Sequence, residues 1–154
     1  MKTYFHPKQK LHHPRTYLSR GQMRTPQEIP ERVVQILKGI AALGLTVTEP
    51  EDHGMQPLLA IHDAGYLQYL ETAHAIWKQT GPDWGDEVIS NIFVRSPNAL
   101  RGILAQTARY LADGSCPVGP DTYTSSYWAA QAAVSAAKAV LAGNVQGVVV
   151  QASA

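Results

Sequence analysis

Two histidines stand side by side in "QKLHHPRTYLSRG" (residues 9–21), His12 and His13. Tandem histidines suit general acid–base chemistry or a metal site, because imidazole titrates near neutrality and offers a ring nitrogen as a ligand. Such a pair needs a fixed position at a strand end, a carboxylate behind each ring and a metal-bound water within reach. No Asp or Glu precedes Glu28 and Pro14 follows at once, so the neighbouring sequence supplies none of these. A catalytic role is not expected of this pair.

The remaining candidates fail on spacing. His62 and His74 in "HDAGYLQYLETAH" lie twelve residues apart, not at the i,i+4 interval that presents two ligands on one helical face. Asp63 is better read as a helix cap, with His62 hydrogen-bonded locally. The acidic turn "EPEDHG" (residues 49–54) reads as solvated surface. Cys116 in "GSCPVG" has neither a histidine partner nor a cationic neighbour, which favours a small buried residue over a nucleophile. Gly114, Pro117, Gly119 and Pro120 form no phosphate-binding pattern. No protein metal site is expected from these residues.

The bulk of the chain narrows its class. It has 154 residues, 45% hydrophobic and 16% charged, which suits one domain with an ordinary core. Thirteen Lys+Arg against twelve Asp+Glu leave a formal charge of +1, so no global field argues for nucleic acid or an acidic membrane. One cysteine suggests a reducing compartment. The N-terminus lacks the apolar core of a signal peptide, and the run Trp128–Leu141 is interrupted and too short to span a bilayer. A cytoplasmic protein is expected.

The elements follow a strand–helix–strand order. "KTYFH" suits a first strand, followed by a long loop from Pro7 to about Gln27. "PERVVQILKGIAALG" predicts a helix with Val33, Ile36, Leu37, Ile40 and Ala41 on its apolar stripe. "LTVTEP" reads as a second strand and "QPLLAIH" as a short helix. Asp63 then caps a helix with Tyr66, Leu70, Ala73 and Trp77 on one face. An irregular segment follows, and a loop that long is usually functional or an interface element. Ser96 and Pro97 suggest the start of a helix with Leu100, Ile103, Leu104 and Leu111 inward. Asp121 suggests a cap for a last helix, with Tyr123, Tyr127, Ala130, Val134, Ala137 and Leu141 inward and Gly143 ending it. Its many alanines imply close packing on something flat, such as a sheet. "GVVVQ" reads as a strand buried on both faces of a parallel sheet.

Several of these stretches taken together resemble one family. "FHP…LHHPRTYLSRG", "IPERV", "IHDAGYLQYLETAH", "WGDEVISNIFVR", "NALRGILAQTARYLADGSCPVG" and "YWAAQAAVSAAKAVLAG" are similar to the N-terminal part of the acetylpolyamine amidohydrolases, within the histone deacetylase superfamily. The match runs almost continuously from residue 1 to about residue 143. The "HDAGYLQYLE" stretch resembles the superfamily at large, and the inserted "WGDEVISNIFVR" the polyamine-type subgroup. The resemblance implies an α/β, arginase/deacetylase-type parallel sheet with covering helices. It implies residues 1–154 to be the N-terminal part of a single deacetylase domain, cut after the third strand, with 82–96 an inserted loop.

In that family one zinc is held by Asp, His and Asp, and acetyl-amides are hydrolysed with a tandem His pair and a Tyr. The His pair closes an Arg-Pro-Pro-Gly-His-His run after the third strand, where this sequence has "ASA". The resemblance therefore implies that the catalytic pair, zinc ligands and Tyr lie beyond Ala154. No zinc is expected on this chain, and its 154 residues are expected to be inactive alone. The substrate class implied is a small acetylated polyamine.

The resemblance also places His12 and His13 on the first rim loop of the active-site mouth, as substrate contacts or as ordinary loop histidines. Asp113 falls near the tunnel entrance, where a carboxylate favours an ammonium group, or is simply a turn residue after a helix. Trp84, Ile92, Phe93 and Arg95 are anchor-type residues of a loop that in the family helps form a homodimer. The alternative is a loop packed on its own subunit. Two rival readings of the whole remain: a non-catalytic dimerisation remnant, and one half of a split assembly.

Overall fold

The computed structural model describes residues 1–27, 29–95, 101–143 and 148–150. Three short strands form a parallel sheet in the order β4–β1–β5: β1 is Lys2–Tyr4, β4 Val47–Thr48 and β5 Val148–Val150. Thr3 aligns with Val47 on one side and Val149 on the other, so β1 is the central strand. The α/β expectation and the three strand positions stand. The side-chain burial expected of the valine run lies outside the described residues.

The loop from Pro7 to Gln27 contains more order than expected. Pro7–Leu11 is a 3-10 turn whose start is closed reciprocally. His6 Nδ1 accepts from the Lys8 N–H, and Gln9 Oε1 from the His6 N–H at 2.7 Å. Next come β2 (Tyr17–Ser19) and β3 (Gln22–Arg24), an antiparallel hairpin. Arg20 and Gly21 join them with φ of 52° and 74°, the left-handed pair of a two-residue turn. Such turns are signalled by Asn-Gly or Asp-Gly, and an arginine in the first place hides this one from a sequence reading.

Helix α1 (Pro30–Ala42) buries Val33 and Ile40 and half-buries Ile36 and Leu37, whereas Ala41 is exposed and leaves the expected stripe. Of "QPLLAIH" only Gln56–Leu59 is helical, as α2. Helix α3 (Ala64–Thr80) starts at Asp63 as expected, its carboxylate accepting the Tyr66 N–H at 3.1 Å. Its buried residues are Leu67, Tyr69, Ala73 and Trp77, with Tyr66 and Leu70 partly buried against the same core. Helix α4 is described as Ile103–Tyr110. The suggested start at Ser96 and Pro97, and Leu100, lie outside the described residues. Ile103 and Leu111 are inward, but Leu104 is 58% exposed: Ile103, Thr107 and Ala108 take the inner face instead.

Helix α5 (Thr122–Leu141) overturns the stripe expected for it. Its buried residues are Thr122, Ser125, Ala129, Gln131, Ala132, Ser135, Ala136 and Ala139. Tyr123, Tyr127, Ala130 and Val134 are only partly buried, Ala137 is exposed, and Leu141 is 86% exposed. The buried side is made of small and polar residues because it lies close against the 3-10 turn and β1. Tyr4, Ala132, Ala136 and Ala139 form one apolar cluster there. Ser125 Oγ donates to the Gln9 carbonyl at 2.7 Å. Asp121 does occupy the cap position, but its side chain makes no capping bond. A second, larger cluster joins α3 and α4 through Tyr69, Ala73, Trp77, Val88, Ile103, Leu111 and Val118.

Candidate functional site

A cavity of about 500 Å3 opens between the end of the 3-10 turn, α3, the segment at Asp86–Glu87 and the start of α5. The chain that leaves the carboxyl end of β1 becomes its wall, the usual side for a site in an open parallel sheet. His12, His13, Arg15, His74, Lys78, Asp86, Glu87, Asp121 and Thr122 line it. The histidine pair is thus gathered with carboxylates remote in sequence. The linear distance of Arg15 from Glu87 hid that.

His12 is 7% exposed. Its Nδ1 lies 2.9 Å from Thr122 Oγ1, and that oxygen accepts the Gly119 N–H at 2.9 Å. Burial holds the His12 pKa below the ordinary histidine value; Glu87 opposes the shift and His13 adds to it. The ring therefore favours its neutral form. Arg15 donates its backbone N–H to Glu87 Oε1 and its guanidinium to Asp86, both at 2.9 Å. Lys78 reaches Asp86 at 3.4 Å and the Trp84 carbonyl at 3.2 Å. His74 Nε2 donates to the Asp86 carbonyl at 2.9 Å. Two cations are thus held by one carboxylate, and the walls keep Glu87 and Asp121 besides.

Asp113 does not line this cavity. Its carboxylate turns back onto Ser115, accepting the backbone N–H at 2.7 Å and the hydroxyl at 2.5 Å, bonds that lower its pKa. The same loop nevertheless meets the histidine: Ser115 and Cys116 line a neighbouring cavity of about 340 Å3 together with His12, Pro14 and Tyr17. Cys116 itself is exposed, against the expectation of a buried residue. Desolvation, then Asp113, raise its thiol pKa, which disfavours the thiolate.

The 82–96 loop divides between inside and outside. Trp84 packs edge-on against Trp77, ring centroids 4.6 Å apart, and Val88 pairs with Val118. Arg95 donates to the Ala112 carbonyl at 3.3 Å. Ile92 and Phe93 are 62% and 40% exposed.

His62 is exposed, its ring beside that of Tyr66 and its backbone N–H donated to the Leu58 carbonyl, and no described bond joins it to His74. The acidic turn is more than solvated surface, because α5 holds it. Gln131 Oε1 accepts the His53 N–H at 2.8 Å, Ser135 Oγ accepts the Glu51 N–H at 3.2 Å, and Asp52 accepts from Tyr127. Among the described residues no three His, Cys, Asp or Glu side chains converge in a way that could hold a metal ion. The described donors do not fit a zinc centre.

No family model matches the chain. The acetylpolyamine amidohydrolase of Burkholderia pseudomallei is 60% identical over 143 residues, 93% of this chain and 42% of that protein. The acetylpolyamine amidohydrolase of Mycoplana ramosa is 31% identical over 147 residues, 94% of this chain and 43% of its own length. Acetylpolyamine amidohydrolase 1 of Pseudomonas aeruginosa is 33% identical over 135 residues, 82% of this chain and 38% of its own. A crystal structure of the Burkholderia pseudomallei acetylpolyamine aminohydrolase superposes with a TM-score of 0.89 at 60% identity, covering 93% of this chain and 42% of that one. The chain spans less than half the length of the relatives it matches.

Proposed function

We propose, on the premise that this chain is a relative of the acetylpolyamine amidohydrolases spanning part of their length, that it forms the scaffold and vestibule of a deacetylase. The reaction served is hydrolysis of the N-acetyl amide of a small polyamine to acetate and free amine. The observation that carries this reading is the 60% identity maintained over 93% of the chain. The cavity beside His12 and His13 supports it. Three carboxylates against two lysine or arginine side chains, with the buried histidine kept neutral, favour an ammonium group over an anion.

No catalytic step is assigned to the described side chains. The zinc of the family, its ligands and the catalytic histidine pair are proposed to come from the part of the relatives that this sequence does not cover. The 154-residue chain is then expected neither to retain zinc after dialysis nor to deacetylate acetylputrescine. Stoichiometric zinc together with turnover by this polypeptide alone would overturn the reading. Asp113 is proposed to stand beside the entrance, contributing through its charge rather than by direct contact.

A homodimer through the 82–96 loop belongs to the same proposal, supported by the exposure of Ile92 and Phe93. Replacing both with serine is expected to turn a dimer into a monomer in light scattering. An unchanged mass would remove this contact from the proposal. A reducing, cytoplasmic setting accords with the single cysteine.

A further inference from the structure

We propose that Thr122 is a positioning residue of the vestibule: it fixes His12 as an imidazole with its proton on Nε2, presented to the cavity as a hydrogen-bond donor. The inference deepens the reading above and rests on it for its meaning in substrate passage. Its geometry stands independently.

Thr122 is the first residue of α5 and is 5% exposed. Its hydroxyl oxygen accepts the Gly119 N–H at 2.9 Å and keeps a second lone pair and one proton to place. Were His12 Nδ1 to donate into that lone pair, the hydroxyl proton of the buried Thr122 would meet no acceptor among the described residues, so the hydroxyl is assigned as donor to Nδ1 of His12 at 2.9 Å. A neutral imidazole has one donor and one acceptor nitrogen, so an accepting Nδ1 places the proton on Nε2. Among the described residues Thr3 Oγ1 is the sole sealed side-chain polar atom without a partner. Nε2 of His12 is bonded by no described group, so it is not sealed and must open onto the space the ring lines. That space is shared: the ring borders both the 500 Å3 cavity and the 340 Å3 cavity next to it.

The consequence is a choice of charge. An imidazolium here would repel an incoming ammonium chain, whereas a neutral Nε2–H offers a donor to a carbonyl or hydroxyl oxygen without that penalty. The titratable and charged groups that share the cavity with the ring are His13 and Arg15 on its own segment, His74 and Lys78 of α3, Asp86 and Glu87, and Asp121 at the start of α5, with Tyr17 and Cys116 in the neighbouring cavity. None of these supplies the Nδ1 contact; Thr122 does.

Two-bond nitrogen–proton spectra of the uniformly 15N-labelled 154-residue chain at pH 8 test the assignment. The expected result is a pyridine-type Nδ1 and a pyrrole-type Nε2 for His12. Thr122→Val should shift the tautomer ratio toward protonated Nδ1 by on the order of fivefold, and Thr122→Ser should restore it. Backbone amide spectra of each variant report whether α5 is intact, so that a lost fold is not mistaken for a lost contact. A His12 with Nδ1 protonated in the unmodified chain overturns the proposal. So does averaging like that of free imidazole, or a ratio unmoved by the valine variant. Failure of an acetylated polyamine to perturb the cavity resonances would count against the vestibule reading alone, because the tautomer is read without ligand.

Discussion

At the scale of single residues, His12 gives the chain a pH dependence whose sign follows from its burial. Its folded-state pKa lies below the ordinary 6.5, chiefly through desolvation. A histidine whose pKa is depressed on folding contributes stability that is fully present above the unfolded value. That contribution is lost as pH falls through the folded one. His6, stacked on Trp128 at 3.7 Å between centroids, is shifted in the same direction, mainly by burial. Denaturant midpoints should therefore fall as pH drops from about 6.5 toward 5. His12→Asn keeps a side-chain acceptor for Thr122 and removes the titration, so its midpoint should vary less over that range. An equal slope in the two proteins would show that His12 is not the source. The sequence displayed the histidine pair and its lack of nearby acids, but not Glu87, Asp121 or Thr122. Those residues come from tertiary contacts, with Thr122 lying 110 residues from His12 and Glu87 lying 72 from Arg15, which no local spacing encodes.

At the scale of elements, size complementarity decides what can be changed. Ala132 and Ala136 of α5 are 0% and 2% exposed and lie with Tyr4 in one cluster. Ala132→Leu should cost about 1–3 kcal/mol, because the added methylenes have no space beside β1 and the 3-10 turn. Ala137→Leu, on the exposed side, should stay within about 0.5 kcal/mol. Equal effects in urea unfolding would refute this assignment of faces. The sequence periodicity indicated the helix and its ends correctly but chose the wrong side. It followed Tyr123, Tyr127, Val134 and Leu141, whereas close approach selected alanine and serine. Gly81, buried where α3 ends, offers a second test. A Cβ there would overlap the ring of Trp84, itself braced against Trp77. Gly81→Ala should destabilise the chain by about 1–3 kcal/mol and alter tryptophan emission.

At the scale of the whole molecule, the larger apolar cluster among the described side chains lies away from the sheet. It takes Tyr69, Ala73, Trp77 and Ile103 from α3 and α4, with Val88, Leu111 and Val118 from the segments between and beyond them, and no described side chain of the parallel strands. The cluster that does reach the sheet holds Tyr4 and three alanines. Strand β4 has only two residues, both exposed, with Val47 at 42%. Local opening is easiest where few apolar contacts cover the backbone hydrogen bonds. Native-state hydrogen exchange should therefore be slowest in the interior of α3 and at the reciprocal Val88–Val118 bonds of 2.9 and 3.0 Å. It should be fastest among the ordered elements in β4 and the β2–β3 hairpin, whose pattern is intermediate and exposed throughout. The walls of the 500 Å3 cavity straddle this boundary, since His74 and Lys78 come from α3 while His12 and His13 follow β1. The cavity is then anchored by its helical side, and the histidine side is held chiefly by the bonds of the 3-10 turn to α5. Ser125→Ala removes the bond to the Gln9 carbonyl, and it should accelerate exchange through residues 6–13 while leaving α3 unchanged. Uniform acceleration across both regions would mean that the two halves open as one cooperative unit.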